Sequence, residues 1–386
     1  MQRRSSIPKY PASAVKTAAS FLTGTLAVLG LPVLAAQPAA ASTQVCLTGS
    51  LVYDHADAEA GTTKPVVTSA ARNADWELWG KTSARASSQK LASGITDGAG
   101  AFNACYSASG ALAEAHVRFV STSAKGWRVV SNKKTQTPYT FDSVSSYDVS
   151  GARDLGTVKA PAKVQYAWHI VDTLNKLYAK RANPVSDCWT AHQATGSCDR
   201  ITFVWTAAPT PSGYWDYPAT NFVIMSGSGP DSEHFILHEA GHWFHWQLYD
   251  HRFPVVTNCN PHYIEKSSST TCAWTEGFAD AVAAYTLGDY RYVWEDGSSY
   301  SFENDATTPH WDTGDTVQGR VSSSLLDLSA PDGPDGGSWD RTIALMTVNM
   351  SEDFREYFTV DRPAASPPLS TTGAAYDIIS GHTIAY

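Results

Sequence analysis

His238 and His242 stand four residues apart with Glu239 beside the first of them. They sit inside Asp231-Ser-Glu-His-Phe-Ile-Leu-His-Glu-Ala-Gly-His-Trp-Phe-His-Trp246. No other stretch limits the fold so tightly. On an α-helix, residues four apart lie about 40° apart around the axis and one turn up, so both imidazoles can grip one cation. Glu239 lies about 60° round from His242, within reach of a water on that cation. Two neutral nitrogen ligands, a carboxylate base and an open position are what metal-assisted hydrolysis requires. The plain alternative is that the pentad arose by chance and its histidines are core residues.

The local sequence supports a helix here. Asp231 or Ser232 can cap it after the turn-rich Ser226-Gly-Ser-Gly-Pro230. Glu233 suits the positive first turn. Leu237, Ala240, Gly241, Phe244 and Leu248 fall on one side and read as a buried stripe, with the histidines off it. Gly241 in mid-helix costs about 1 kcal/mol relative to alanine, and close approach of another backbone would account for it.

A third ligand is needed. The metzincin spacing puts a glycine three and a histidine six residues after the second histidine; here those places hold His245 and Leu248, so that pattern fails. Downstream lies Trp274-Thr-Glu-Gly-Phe-Ala-Asp-Ala-Val-Ala-Ala-Tyr285. Glu276 and Asp280 are again four apart on one helical face. Glu276 can complete a His-His-Glu site, and Asp280 can accept the far N–H of a ligating histidine. Ala279, Ala281, Ala283 and Ala284 allow close packing on the first helix.

With H-E-A-G-H at 238–242 and E-G-F-A-D at 276–280, the chain resembles the gluzincins, the thermolysin-like and aminopeptidase-like branch of the zincin metallopeptidases. The resemblance covers roughly residues 160–350. It implies that His238, His242 and Glu276 bind Zn2+, that Glu239 is the general base, and that Asp280 orients a ligating histidine. Two departures stand out. The gap between His242 and Glu276 is longer than in thermolysin-like enzymes and holds its own cysteine pair. A Gly-Ala-Met-Glu-Asn stretch, which aminopeptidases use to read a free N-terminus, is missing.

Residues 1–41 read as a signal peptide. Arg3, Arg4, Lys9 and Lys16 precede an apolar run from Ala18 to Ala36, and Ala39-Ala40-Ala41 offers a small-residue cleavage site. The run is about long enough to span a bilayer, but Gly24, Gly30 and Pro32 favour cleavage over an uncleaved anchor. Losing its four basic residues takes the net charge from −9 to −13. An acidic surface argues against nucleic acid and anionic membranes as partners. The expected location is outside the cell, and the expected partner a protein or peptide substrate. Nothing in the sequence sets an oligomeric state.

The six cysteines lie after that segment. Their even number behind a signal reads as disulfides, paired Cys46–Cys105, Cys188–Cys198 and Cys259–Cys272, each within one apparent unit.

The chain beyond residue 41 is too long for one ordinary core. Its expected class is α+β: an all-β sandwich over 44–160, then a zincin-like metallopeptidase domain over 161–386. The second would hold a mixed sheet, the active-site helix and a mostly helical C-terminal lobe. Strands are expected at Val45–Tyr53, Asp75–Trp79, Ala101–Tyr106, Ala115–Val120 and Trp127–Val130. The sandwich resembles carboxypeptidase regulatory-like, or transthyretin-like, modules through Val-Cys-Leu-Thr-Gly-Ser-Leu-Val52, Trp76-Glu-Leu-Trp79 and Gly94-Ile-Thr-Asp-Gly-Ala-Gly-Ala-Phe102. Trp76, Trp79 and Trp127 read as core, with glycan binding as the alternative.

A helix is expected over Val164–Ala182, and strands at Ile201–Trp205 and Asn221–Met225. Either strand can be the sheet edge that pairs with an extended substrate, or an ordinary buried strand. Later helical stretches are Gln318–Leu328 and Arg341–Met350. Between them, Asp332-Gly-Pro-Asp-Gly-Gly337 is a solvated turn or a calcium loop.

The hydrolase reading also needs an oxyanion donor. His245, Tyr263, Tyr285, Tyr292, His310, Arg320 and His382 are the candidates, unranked by sequence. Two rivals remain: a zincin-fold binding or host-interaction protein with narrow or lost activity, and a secreted carbohydrate-binding protein.

Overall fold

The computed structural model describes residues 42–181, 186–193 and 196–386. The signal segment expected at 1–41 lies outside the described residues. Residues 42–386 form one compact unit.

The strands from residue 43 to 159 are β1 (Thr43–Ala56), β2 (Val66–Ala70), β3 (Asp75–Lys81), β4 (Gln89–Ile95), β5 (Ala101–Ala108), β6 (Leu112–Val120), β7 (Thr122–Ser123), β8 (Trp127–Val130), β9 (Thr140–Asp142), β10 (Ser146–Val149) and β11 (Ala152–Lys159). β1 is the spine of the first sheet. It pairs antiparallel with β5 and β2 and parallel with β11. Val45, Leu47, Leu51 and Tyr53 point inward from it, spaced two apart on either side of a register shift between Thr48 and Ser50. Cys46 and Cys105 are directly opposed on β1 and β5 and are joined by a disulfide. The second sheet runs β10-β6-β3-β4, with β9 also on β6. The two inner faces meet through Phe102 and Phe119, whose rings are 5.2 Å apart. Trp76 and Trp127 are buried, and Trp79 lies under the Arg118 guanidinium. They form no open platform for a sugar.

The next elements are α1 (Gln165–Lys180), β12 (Ile201–Thr206), β13 (Ser212–Trp215), β14 (Val223–Ser226), α2 (Glu233–Leu248), α3 (Thr270–Leu287), β15 (Arg291–Val293), β16 (Ser299–Ser301) and α4 (Gln318–Ser329). A third sheet runs β13-β14-β12-β8-β7. Here the structure departs from the sequence reading twice. Trp127–Val130 joins neither of the first two sheets; as β8 it pairs parallel with β12, Trp127 facing Ile201. Trp127, Val129 and Val130 are all buried, the signature of an inner strand covered on both faces rather than a half-exposed one. Neither of the two strands proposed is an edge: β12 and β14 are both interior, and β13 ends the sheet on the β14 side, with β7 at the other end. β13 is four residues of Ser-Gly-Tyr-Trp, too short and too glycine-weakened to stand out in a sequence.

The first module is joined to the helical part through buried polar contacts. Asp172 on α1 accepts from Tyr53 Oη at 3.0 Å and holds Arg72 through two bonds of 2.7 Å. Further on, Asp335 does not serve a calcium loop or a solvated turn. It is fully buried and paired with Arg362 at 2.7 Å, anchoring the C-terminal tail. The tail itself carries a helix, Ala374–Gly381.

Candidate metal centre and cleft

α2 starts at Ser232, whose Oγ accepts from Phe235 N at 2.9 Å. Asp231, the other possible cap, is buried in the preceding turn and accepts from Tyr166 Oη at 2.8 Å and Lys64 Nζ at 3.0 Å. Glu59 from the first module reaches the same helix end, accepting from His234 N at 3.1 Å. The expected stripe is buried, but so are His234, Ile236, His238, Glu239, His242, Trp243 and His245. α2 is enclosed on nearly every side, so it needs no polar face and its pattern carries little periodicity. Gly241 meets the backbone of α3: a Cβ there would stand 2.9 Å from Ala279 Cα.

That close approach sets Glu276 opposite the histidines. Nε2 of His238 and of His242 lie 3.2 and 3.3 Å from Glu276 Oε2. Donors on a tetrahedral zinc with bonds of about 2.0–2.1 Å stand roughly 3.3–3.4 Å apart, so the three atoms fit that ion. Asp280 is fully buried and lies 2.8 Å from His238 Nδ1, which turns Nε2 towards the site. The second cluster of possible ligands, Cys259, His262 and Cys272, offers no thiolate, because its cysteines form a disulfide.

Electrostatics favour a cation at the centre. Burial alone would lower the His238 pKa, but Asp280 and Glu276 raise it well above the ordinary imidazole value. Burial alone would raise that of Glu276, yet His242 and His238 hold it well below the usual carboxylate range. The site thus gathers positive charge, which a divalent ion can supply in place of protons. Burial raises the pKa of Glu239, against the pull of His238 and His242. A carboxylate shifted upward is a stronger base.

The centre opens into a cleft with two chambers. One, of about 580 Å³, is lined by Trp215, Tyr217, Phe253 and Val255 together with His242 and Glu276. The other, of about 440 Å³, is lined by Tyr263, Tyr292, Trp294 and Gln318 with Asp280. Gly213 of β13, His238, Glu239 and His262 line both.

Of the seven candidate oxyanion donors, Tyr263 and Tyr292 line this cleft. Tyr292 is buried with its ring edge-on to His238 at 5.5 Å. Burial, and then the charges of Asp280, Glu239 and Glu276, raise its pKa well above 10, so the hydroxyl keeps its hydrogen. The others lie elsewhere. His245 is enclosed by rings, and Tyr285 stacks on Trp339. His310 is in an exposed loop. Arg320 and His382 meet at Asn304. His262 escaped the sequence reading. Its one signal is the bracketing pair Cys259–Cys272, which folds its loop back onto the start of α3. Cys188 and Cys198 form the remaining disulfide.

Residues 181–383 match the sequence profile of the mycolysin C-terminal domain, and residues 46–167 that of the mycolysin middle domain. No curated protein matches the chain. A solved 9R-lipoxygenase from Cyanothece overlaps 35% of this chain and 23% of its own, at 16% identity and a TM-score of 0.20. A likeness that slight carries no argument.

Proposed function

The chain belongs to the mycolysin family of zinc metallopeptidases, and on that premise we propose a secreted endopeptidase whose metal ligands are His238, His242 and Glu276. The observation that carries the ligand set is the convergence of their three donor atoms, 3.2 and 3.3 Å apart, beside Glu239 in a two-chambered cleft. Secretion is supported by the three disulfides, which form and persist in oxidising compartments. Among the described residues no helix is long and apolar enough to cross a membrane.

Bound at this centre, zinc supplies a Lewis acid for the scissile carbonyl and acidifies the attacking water. Asp280 holds His238 in the tautomer that leaves Nε2 free for the ion. Glu239 takes the water's proton and passes it to the leaving amine. Tyr292 donates its hydroxyl hydrogen to the carbonyl oxygen as negative charge builds there. The edge strand β13 offers unpaired backbone groups to an extended peptide. Space on both sides of Glu239 favours internal cleavage over exopeptidase action. Tyr214, Tyr217, Val255 and Tyr263 are exposed at the mouth, which suits a protein substrate. The strands of the first two sheets act in this reading as a supporting module of the catalytic part.

The test is Glu239→Gln against the parent, with zinc content and casein cleavage as readouts. About one zinc per chain in both is expected, with cleavage reduced about 10²–10⁴-fold in the variant. Equal cleavage would remove Glu239 from the mechanism. Absence of zinc from metal-replete protein would remove the ligand set. Zinc in both and cleavage by neither would favour a binding protein.

A further inference from the structure

Gln318, the first residue of α4, reaches the metal centre from behind. Its Nε2 lies 3.0 Å from Asp280 Oδ2 and its Oε1 lies 2.8 Å from His262 Nδ1. The other oxygen of Asp280 is taken by His238 Nδ1. Asp280 and Gln318 are 0% and 3% exposed, so water does not compete for the bond between them.

The chain fixes where its hydrogens sit. An ionised carboxylate only accepts, so Gln318 must turn its NH₂ group to Asp280 and its carbonyl to His262. A carbonyl also only accepts, so His262 Nδ1 must carry the hydrogen. In the neutral ring Nε2 then holds a lone pair. His262 lines both chambers beside Glu239, and its side chain is 36% exposed. The cleft therefore contains an oriented hydrogen-bond acceptor where its two halves join.

We propose that His262 positions the substrate, its Nε2 accepting a backbone N–H of a residue flanking the scissile bond, with Gln318 as the positioning residue that sets its tautomer. This rests on the peptidase reading above. An extended peptide carries one N–H per residue, and each that is buried without an acceptor is costly. β13 can serve the groups on the peptide edge that faces it. The N–H groups on the opposite edge need acceptors from elsewhere, and His262 is one that the fold has already oriented.

The experiment uses a peptide cleaved by the full-length, zinc-loaded protein. Each flanking backbone N–H, other than the scissile one, is replaced in turn by an ester oxygen. Kinetics are measured at pH 8 for the parent, His262→Phe, His262→Asn and Gln318→Leu, with zinc content recorded for each. One ester should raise KM of the parent about 5–10-fold. His262→Phe should start from that raised KM, with kcat within about threefold of the parent, and ignore the same ester. His262→Asn, whose side-chain oxygen can accept, should recover sensitivity to the ester. Gln318→Leu should lose part of it.

Identical responses of parent and His262→Phe to every ester would overturn the proposal. So would a loss of kcat above about 100-fold at unchanged KM in His262→Phe, which would place the residue at the transition state. If the zinc-loaded parent cleaves no peptide, the peptidase reading fails instead. Calorimetric binding of the same series to Glu239→Gln, with and without His262→Phe, then decides the proposal: ester-insensitive binding overturns it.

Discussion

His238 and His245 lie two turns apart on α2, and both are buried. Around His238 stand Asp280 at 2.8 Å and Glu276 at 3.2 Å. Around His245 stand the rings of Tyr249, Phe253, Trp274 and Phe278, with centroids 4.4 to 5.5 Å away. Neither nitrogen of His245 has a hydrogen-bond partner. The consequences are opposite. Carboxylates raise the His238 pKa against burial, whereas burial, helped by His242, lowers that of His245 well below 6.5. Burial alone therefore says little about a histidine's role. Its company decides whether it is a seat for a cation or a neutral piece of core.

If carboxylate company makes the seat, removing it should have the largest effect. Asp280→Ala should weaken zinc binding about 10–100-fold, measured by competition with a chelator. Unchanged affinity would mean that His238 needs no orienting partner. Gly241 lies between the two histidine environments and sets the spacing of α2 from α3. Gly241→Ala should cost about 2 kcal/mol in urea unfolding, because the obstructing atom is Ala279 Cα rather than a movable side-chain end. It should also lower activity, since Glu276 would move away from the histidines. A variant with parental stability would show that the helices can part freely.

The start of α2 extends the contrast to pH. Glu233 is mostly buried. Burial by itself raises its pKa, but His169 and Lys176 together hold it well below 4.5, with Lys176 Nζ 2.6 Å from Oε1. A carboxyl held low in the folded state adds stability above the unfolded pKa and loses it as pH falls through the folded one. Lys176→Met should therefore destabilise by about 1–2 kcal/mol at pH 7 and make the chain less sensitive to acid below about pH 4.5. Parallel stability–pH curves for parent and variant would refute this account of Glu233.

Much of the centre was legible because its chemistry is local. His238, Glu239 and His242 share one helix turn, and Glu276 and Asp280 share another, so spacing alone puts each set on one face. Gly241 signalled the close approach of α3 because glycine in mid-helix needs a reason. What remained hidden depends on distant chain segments meeting. His262 and Gln318 come from a loop and a helix start, and no periodicity marks either. β8 follows the strands of the first two sheets in the chain but joins the third. Trp127–Val130 reads as one more strand in the series, and only its neighbours β12 and β7 show which sheet it joins. The edge strand β13 is short and contains glycine, so its role comes from its neighbour β14 rather than from its own composition.

The smallest expected effect tests the comparison from its quiet side. His245→Phe swaps one flat ring for another of similar volume in an aromatic cage and removes two unpartnered nitrogens. It should change stability by less than about 1.5 kcal/mol at pH 7 and leave zinc content and cleavage as in the parent. Its pH signature follows from sign. The folded pKa of His245 is lowered, so the unfolded chain binds that proton more tightly, and stability drains away as pH falls below about 6.5. Urea unfolding at pH 7 and pH 5 should therefore show a smaller drop for His245→Phe than for the parent. Loss of zinc or of cleavage in this variant would break the comparison, because it would give the ring-enclosed histidine a share in the centre that its surroundings deny it.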